Sequence, residues 1–284
     1  MCTLVLAGLG VATGCGGGAG GDGEVVAAFY PLAFAASEVA ADGISVRNLT
    51  PPGAEPHDLE LDARDVSTIR KAAVVLYVGG GFQPALEDAL EGREGPTLDV
   101  LGTSGVRLKS DTRSGAGASP DPHVWLDPVR YAAIARGIAA ELGDVARAAS
   151  LVERLERLDR DFRRGLAQCA RRELVTSHAA FAYLADRYGL EQVPLVGVEP
   201  EAEPSPRDVA RLVARVRATR ATTIYFETLV SSDLARTVAR ETGATTAVLD
   251  PLEGLAADEL DAGTDYFDVM RENLAALRTG LDCT

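Results

Sequence analysis

Short apolar runs alternate with longer helical stretches from Glu24 to the end of the chain. This alternation is typical of parallel sheets with helices packed on their faces. The runs that predict strands are rich in β-branched residues and cover 25–29, 44–49, 74–78, 97–100, 174–176, 222–226 and 245–249. The pattern therefore predicts an α/β protein.

Two predicted helices begin with clear capping signals. Asp127 precedes Pro128, which places an N-cap residue before a proline at the first helical position. Ser205 precedes Pro206 in the same way, and Asp208 follows three residues after the serine. Both pairs predict where a helix begins.

The most continuous helical signal covers residues 144–170. Its apolar positions recur every three or four residues and form one stripe, made of Leu151, Leu155, Leu158, Phe162, Leu166 and Cys169. A helix over this range would be about 40 Å long, which is enough to join two lobes. The sequence therefore predicts an N-terminal α/β lobe over 24–143, a rigid linking helix over 144–170 and a C-terminal α/β lobe over 171–284.

The chain begins with an apolar stretch over 4–12 that is too short to span a bilayer and ends in small residues. The sequence Ala-Thr-Gly-Cys at 12–15 resembles a bacterial lipobox. That resemblance implies a signal peptide over 1–14, lipidation of Cys15 and a Gly-rich tether over 15–23. No Lys or Arg precedes the apolar stretch, although signal peptides usually carry one there. The alternative is therefore an N-terminus in which the Gly-Cys pair does not mark a lipidation site.

Two cysteines remain, Cys169 and Cys283. If Cys15 anchors the chain outside the cytoplasm, an even pair of cysteines there usually forms a disulfide. The alternative is a pair of buried free thiols.

The balance of charge is acidic, with 28 Lys and Arg against 42 Asp and Glu and a formal net charge of −14. This balance argues against nucleic acid or anionic lipid as the main partner and suits a cationic ligand better. We expect no nucleic-acid partner, and contact with a membrane only through the lipid anchor.

All three histidines of the chain lie in predicted loops. His57 follows the predicted strand 44–49, His123 comes just before a predicted helix, and His178 follows the predicted strand 174–176. In open parallel α/β sheets the ligand crevice lies beyond the carboxyl ends of the strands. We therefore expect the three imidazoles to converge in such a crevice.

Asp250 follows the last predicted strand and would add a carboxylate at the same edge. Three imidazoles and one carboxylate suit a tetrahedral Zn²⁺ site. The four residues are 66, 55 and 72 positions apart, so the fold must hold the site together. The leading candidates for carboxylates that orient the imidazoles are Glu55 and Glu227, and the others are Asp58, Glu60, Asp121 and Asp127.

Several segments resemble the zinc and manganese substrate-binding proteins of bacterial ABC importers, the family called cluster A-I. In chain order they are residues 24–32, Gly-Ala-Glu-Pro-His at 53–57, Pro-His-Val-Trp-Leu-Asp-Pro at 122–128, the long helix, Thr-Ser-His-Ala-Ala-Phe at 176–181, Tyr-Phe-Glu at 225–227 and Leu-Asp-Pro-Leu at 249–252. The two segments that contain His57 and His123 are specific when they occur together in this order.

The resemblance implies a two-lobed, monomeric receptor that holds a metal ion between its lobes and delivers it to a membrane permease. It implies His57, His123 and His178 as ligands, with Asp250 or a nearby residue as the fourth. Manganese-selecting members tend to have Glu where His178 stands, so the chain resembles the zinc type. Many zinc members have a His-rich loop before the second ligand, whereas residues 110–122 contain no His before the ligand position.

A manganese or iron receptor of the same family is the nearest alternative. A zinc hydrolase would use three protein ligands plus water, with Glu227 as a general base. The sequence has no His-Glu-x-x-His or Gly-x-Ser-x-Gly motif, and we therefore expect no enzyme. A surface adhesin with a structural metal is the third alternative.

Overall fold

The computed structural model describes residues 23–109, 120–201 and 204–284, and two four-stranded sheets organise them. The first sheet contains β1 (Val25–Ala27), β2 (Val46–Asn48), β3 (Val74–Tyr77) and β4 (Thr97–Asp99); the second contains β5 (Glu173–Thr176), β6 (Glu191–Pro194), β7 (Thr223–Phe226) and β8 (Thr245–Val248). The fold confirms the expected α/β class with two sheet-based lobes. The proposed signal peptide at 1–14 and Cys15 lie outside the described residues.

Both sheets have the same strand order, β2-β1-β3-β4 in the first and β6-β5-β7-β8 in the second, and all neighbouring strands are parallel. The order reverses between β1 and β3 and between β5 and β7. Loops that leave the sheet on either side of such a reversal diverge and open a crevice at the carboxyl ends of the strands. Each lobe therefore offers one crevice edge for a ligand.

Strand β6 is the one strand of the described residues that the sequence pattern does not predict. Its sequence, Glu-Gln-Val-Pro, contains a single β-branched residue and ends in a proline. It lies at the edge of the second sheet, where a proline removes no hydrogen bond from a central ladder. Pairing with β5 therefore creates this strand, rather than local propensity.

Ten α-helices pack around the sheets of the described residues. They are α1 (Tyr30–Val39), α2 (Ala63–Lys71), α3 (Pro84–Leu90), α4 (Pro128–Glu141), α5 (Ala149–Gly165), α6 (Ala182–Tyr188), α7 (Pro206–Thr219), α8 (Asp233–Thr242), α9 (Ala257–Asp261) and α10 (Tyr266–Gly280). The predicted caps are confirmed, because Asp127 accepts from the Val129 amide at 2.9 Å and Ser205 and Asp208 form a capping box. Within the described ranges no helix is both long and apolar enough to cross a membrane.

The linking helix is shorter than the sequence predicts. Helix α5 has 17 residues, which corresponds to about 25 Å, and its apolar stripe is buried as expected. At its start, Asp144 accepts from the Ala146 amide and supports a separate 3-10 turn over Val145–Ala148. At its end, the Arg172 guanidinium donates to the carbonyls of Leu166 and Ala167. These local caps shorten the helix at both ends, and the lobe boundaries at 143 and 171 stay a prediction.

Aromatic side chains join the two lobes behind the crevice. Tyr266 of α10 packs on Tyr131 of α4, with ring centroids 4.5 Å apart, and its hydroxyl donates to the Trp125 carbonyl at 2.7 Å. The Trp125 indole in turn donates to the Pro251 carbonyl at 2.7 Å. These groups are buried, and their contacts stabilise the positions of the loops that border the crevice.

Cys169 and Cys283 form a disulfide, as expected, at the amino end of the second sheet. The bond fastens the end of the chain next to α5, where the Thr284 amide also donates to the Gln168 carbonyl at 3.0 Å.

Loss of this disulfide is expected to lower the free energy of unfolding by about 2–4 kcal/mol, because the bond closes a loop of 114 residues and restricts the unfolded chain. Urea unfolding of the double variant Cys169→Ser, Cys283→Ser measures the effect. Zinc affinity should not change, because His178 lies at the opposite end of β5. An unchanged unfolding free energy would contradict the prediction.

Candidate metal centre

His57 is held by the loop that follows β2. A 3-10 turn over Pro56–Asp58 begins at Glu55, whose carboxylate accepts from the His57 amide at 3.1 Å. Gln83 donates to the Pro56 carbonyl at 3.1 Å, and the Phe82 ring packs against the imidazole with centroids 4.5 Å apart. The imidazole is buried beneath these contacts.

His123 is fully buried just before α4. Both its backbone amide and its ring Nδ1 donate to Asp121 Oδ1, at 3.0 and 2.8 Å. The indole of Trp125 packs against the ring with centroids 5.2 Å apart. When the ring is neutral, the bond to Asp121 keeps its proton on Nδ1, so that Nε2 is the nitrogen available to a metal ion.

His178 follows β5 and is also buried. Its carbonyl accepts from the hydroxyl of Thr176 at 2.7 Å and from the amide of Gln192 at 3.1 Å. Its Nδ1 donates to Glu227 Oε1 at 2.8 Å, and Glu227 comes directly after β7. The two strands beside the order reversal of the second sheet therefore carry an imidazole and the carboxylate that orients it.

The fourth member of the cluster is Glu253, which is fully buried. Its Oε1 lies 3.0 Å from Nε2 of His123, 3.4 Å from Nε2 of His57 and 3.5 Å from Nε2 of His178. One ligand atom from each of the four residues can be chosen so that all lie within 4.8 Å of one another. Two of these residues come from each lobe.

Asp250, the fourth ligand expected from the sequence, lies outside this cluster of four donors. Its carboxylate accepts from the Leu252 amide at 2.6 Å and from the Thr228 hydroxyl at 2.7 Å. This turn places Leu252 in the left-handed region, with φ of 56°, and carries Glu253 inward. An Asp-Pro pair after a strand is a turn signal, and it indicates that the aspartate carboxylate is engaged by its own backbone.

The other candidate carboxylates divide by what they contact. Glu55 holds the backbone of His57 and does not hydrogen-bond its ring. Asp127 caps α4 and is engaged by arginines, while Asp58 and Glu60 are exposed. Of the six carboxylates that the sequence suggests, Asp121 and Glu227 therefore orient imidazoles.

The opposite charges of His178 and Glu253 shift the pKa of each residue in favour of its charged form. Burial alone would lower the pKa of His178, but the charge of Glu253 and the hydrogen bonds to Glu227 and Glu253 outweigh it and raise that pKa to about 10. Burial opposes ionisation of Glu253, yet the charge of His178 and the hydrogen bond from His123 hold its pKa well below the usual range. At neutral pH the metal-free cluster therefore holds an ionised Glu253 and a proton on His178.

Several buried atoms around the cluster have no hydrogen-bond partner among the described residues. They include both ring nitrogens of His57, Oε2 of Glu253 and Oε2 of Glu227. A buried polar atom without a partner is unfavourable, and a cation in the cluster would engage such lone pairs. Three imidazole nitrogens and a carboxylate oxygen are donors that suit Zn²⁺.

The two parallel sheets and the buried three-histidine, one-glutamate cluster between them define a two-lobed metal-binding α/β protein. The family model described as "Zinc-uptake complex component A periplasmic" (ZnuA) matches residues 25–280. The chain belongs to this family, which confirms the resemblance found in the sequence.

Curated relatives carry zinc-related names. The zinc-binding protein AdcA of Streptococcus pyogenes serotype M6 is 34% identical over 91% of this chain, which spans only 56% of AdcA. The high-affinity zinc uptake system protein ZnuA of Bacillus subtilis is 32% identical over 91% of this chain and 87% of that protein. The names describe binding and uptake proteins rather than enzymes, in agreement with the expectation of no catalysis.

Solved structures of relatives have the same fold. The Zn(II)-bound ZnuA-like domain of Streptococcus pneumoniae AdcA has a TM-score of 0.75 and 35% identity, covering 92% of this chain and 100% of the domain. The laminin-binding protein Lmb of Streptococcus agalactiae, described as bifunctional with adhesin and metal transporting activity, has a TM-score of 0.80 and 29% identity, covering 91% of this chain and 99% of Lmb.

Proposed function

We propose that the protein captures one Zn²⁺ ion between its lobes, with Nε2 of His57, His123 and His178 and the carboxylate of Glu253 as ligands. The observation that carries the proposal is the convergence of four buried donors within 4.8 Å, drawn from both lobes. Glu253 takes the role that the sequence assigns to Asp250, whose own carboxylate is engaged in a turn.

The surrounding carboxylates prepare the imidazoles for the ion. Asp121 and Glu227 accept the Nδ1–H protons of His123 and His178, which directs the Nε2 lone pairs to the centre. Glu253 supplies one negative charge against the charge of the cation. Each of these groups either binds the ion or orients a ligand, and we therefore assign the site to zinc capture.

Zinc is the cargo that these donors favour. Imidazole nitrogen is a good ligand for Zn²⁺, whereas Mn²⁺ prefers carboxylate, carbonyl and water oxygens. The zinc-related names of AdcA and ZnuA support the same choice. A manganese or iron cargo remains the alternative that a competition experiment decides.

We propose further that the protein is an extracytoplasmic, monomeric receptor that delivers its ion to an ABC-transporter permease. The family description, which names a periplasmic component of a zinc-uptake complex, supports delivery. The name of a Streptococcus pneumoniae relative, zinc-binding lipoprotein AdcA, supports a lipid anchor, for which Cys15 is our candidate.

Zinc binding at neutral pH is expected to release about one to two protons per ion, because metal ions bind neutral imidazole. The pKa of His178 is raised to about 10, and hydrogen bonds to Asp121 and Glu253 raise the pKa of His123 against the effect of burial. As pH falls, protons compete with zinc for these imidazoles and the apparent affinity decreases. Calorimetric titration in two buffers of different ionisation enthalpy measures the released protons.

The same titration tests the proposed function through its stoichiometry. One zinc ion per chain, displaced by neither Mn²⁺ nor Fe²⁺ at equal concentration, is the expected result. Absence of tight zinc binding, or binding with no proton release between pH 6 and 8, would contradict the proposal.

A further inference from the structure

The three imidazoles of the cluster share one arrangement, in which Nε2 faces Glu253 and Nδ1 faces another carboxylate. For His123 and His178 the outer carboxylates are Asp121 and Glu227, which are buried and lie 2.8 Å from Nδ1. Each of these two carboxylates belongs to the same lobe as the imidazole that it orients.

His57 differs in where its outer carboxylate comes from. The residue that faces its Nδ1 is Glu199, with Oε2 at 3.5 Å, and the Glu199 side chain is 65% exposed. Glu199 lies in the loop after β6, in the C-terminal lobe, whereas His57 follows β2 in the N-terminal lobe. The contact therefore crosses the mouth of the crevice.

The loop that carries Glu199 is fastened to the C-terminal half of the site. The Val196 amide donates to the Ser177 carbonyl at 3.0 Å, and the Ala179 amide donates to the Gly197 carbonyl at 2.8 Å. Both bonds tie the loop to the segment that contains His178. Any separation of the lobes would thus take Glu199 away from His57 while Asp121 and Glu227 keep their imidazoles.

We propose that Glu199 is a positioning residue that orients His57 across the crevice mouth and slows the release of zinc. The inference rests on the proposed zinc capture and assigns this role to an exposed residue that is not itself a ligand. Because Glu199 is solvent-accessible and its contact is longer than those of Asp121 and Glu227, the contact forms and breaks easily. Zinc would be retained while the contact holds and released when the lobes separate.

Zinc dissociation rates of three variants test this role. Glu199→Ala is expected to accelerate dissociation about tenfold, the lower end of the effect of removing a carboxylate that supports a metal-bound histidine. Glu199→Gln should restore most of the wild-type rate, because its amide oxygen can face Nδ1–H from the same position. Glu201→Ala is the matched control, since it removes the same charge from an exposed position two residues away. Stopped-flow mixing of the zinc-loaded proteins with a chromophoric chelator in excess measures each rate.

A second measurement separates positioning from a general loosening of the loop. In the zinc-loaded protein, the Nδ1–H proton of His57 should exchange with water faster in Glu199→Ala than in Glu199→Gln, while the corresponding protons of His123 and His178 stay unchanged. NMR of the imidazole nitrogens reports all three protons.

Equal dissociation rates for wild type, Glu199→Ala and Glu201→Ala would overturn the inference and leave zinc capture intact. Equal acceleration in both alanine variants would indicate a charge effect and overturn it as well. Failure of the wild type to bind zinc would overturn the proposed function itself.

Discussion

Glu253→Ala is expected to weaken zinc binding about a hundredfold or more. Structural zinc sites bind with roughly 10–16 kcal/mol, so one of four ligands accounts for about 3 kcal/mol, which corresponds to about two orders of magnitude in affinity. The loss also removes the carboxylate oxygen that, among the described residues, lies within 3.5 Å of all three Nε2 atoms. His123→Ala should have an effect of similar size.

Asp250→Asn is the matched control for Glu253→Ala. Its amide oxygen still accepts from the Leu252 amide, so the turn that carries Glu253 should persist and zinc affinity should fall less than tenfold. Competition for zinc against a chromophoric chelator measures both affinities, with circular dichroism to confirm that each variant is folded. A larger loss of zinc affinity for Asp250→Asn than for Glu253→Ala would indicate that Asp250, rather than Glu253, is the fourth ligand.

Asp127→Ala is expected to lower the free energy of unfolding by about 3 kcal/mol. The carboxylate is fully buried and accepts from the Arg187 guanidinium at 2.7 to 3.0 Å, from Arg130 and from the Val129 amide. Removing one partner of a buried ion pair leaves the other without a counter-charge and typically costs about 3–5 kcal/mol. Arg187 keeps partial access to water, so we expect the lower end of this range.

The exposed pair between Asp161 and Arg164 provides the comparison for Asp127→Ala. Asp161→Ala should change the free energy of unfolding by less than about 1 kcal/mol, because surface ion pairs contribute little. Urea unfolding of the metal-free proteins measures both effects, since bound zinc would add its own stabilisation. Equal losses in the two variants would show that the buried carboxylate does not connect α4 and α6 as described.

The convergence of the three imidazoles could be predicted from the sequence alone. His57 and His178 follow strands whose apolar runs are unambiguous, and His123 precedes a helix marked by Asp127 and Pro128. In a parallel α/β fold such loops meet at one edge, so convergence follows from topology. The seven predicted strands and both capped helix starts are confirmed for the same reason, since their signals are local.

Features that depend on contacts distant in sequence escaped prediction. Glu253 lies beyond a turn whose geometry depends on the contact between Asp250 and Thr228, and β6 forms because β5 offers an edge. The pairing of His57 with Glu199 requires the two lobes to approach each other. Local sequence patterns report helix and strand propensity, but they do not report which side chain a docked lobe places opposite another.

The most direct test of the account is a crystal structure of the zinc-loaded protein with anomalous diffraction at the zinc edge. We predict a single peak, at about 2.0–2.2 Å from Nε2 of His57, His123 and His178 and from an oxygen of Glu253. A peak coordinated by Asp250 in place of Glu253, or a zinc ion bound away from these three imidazoles, would contradict it.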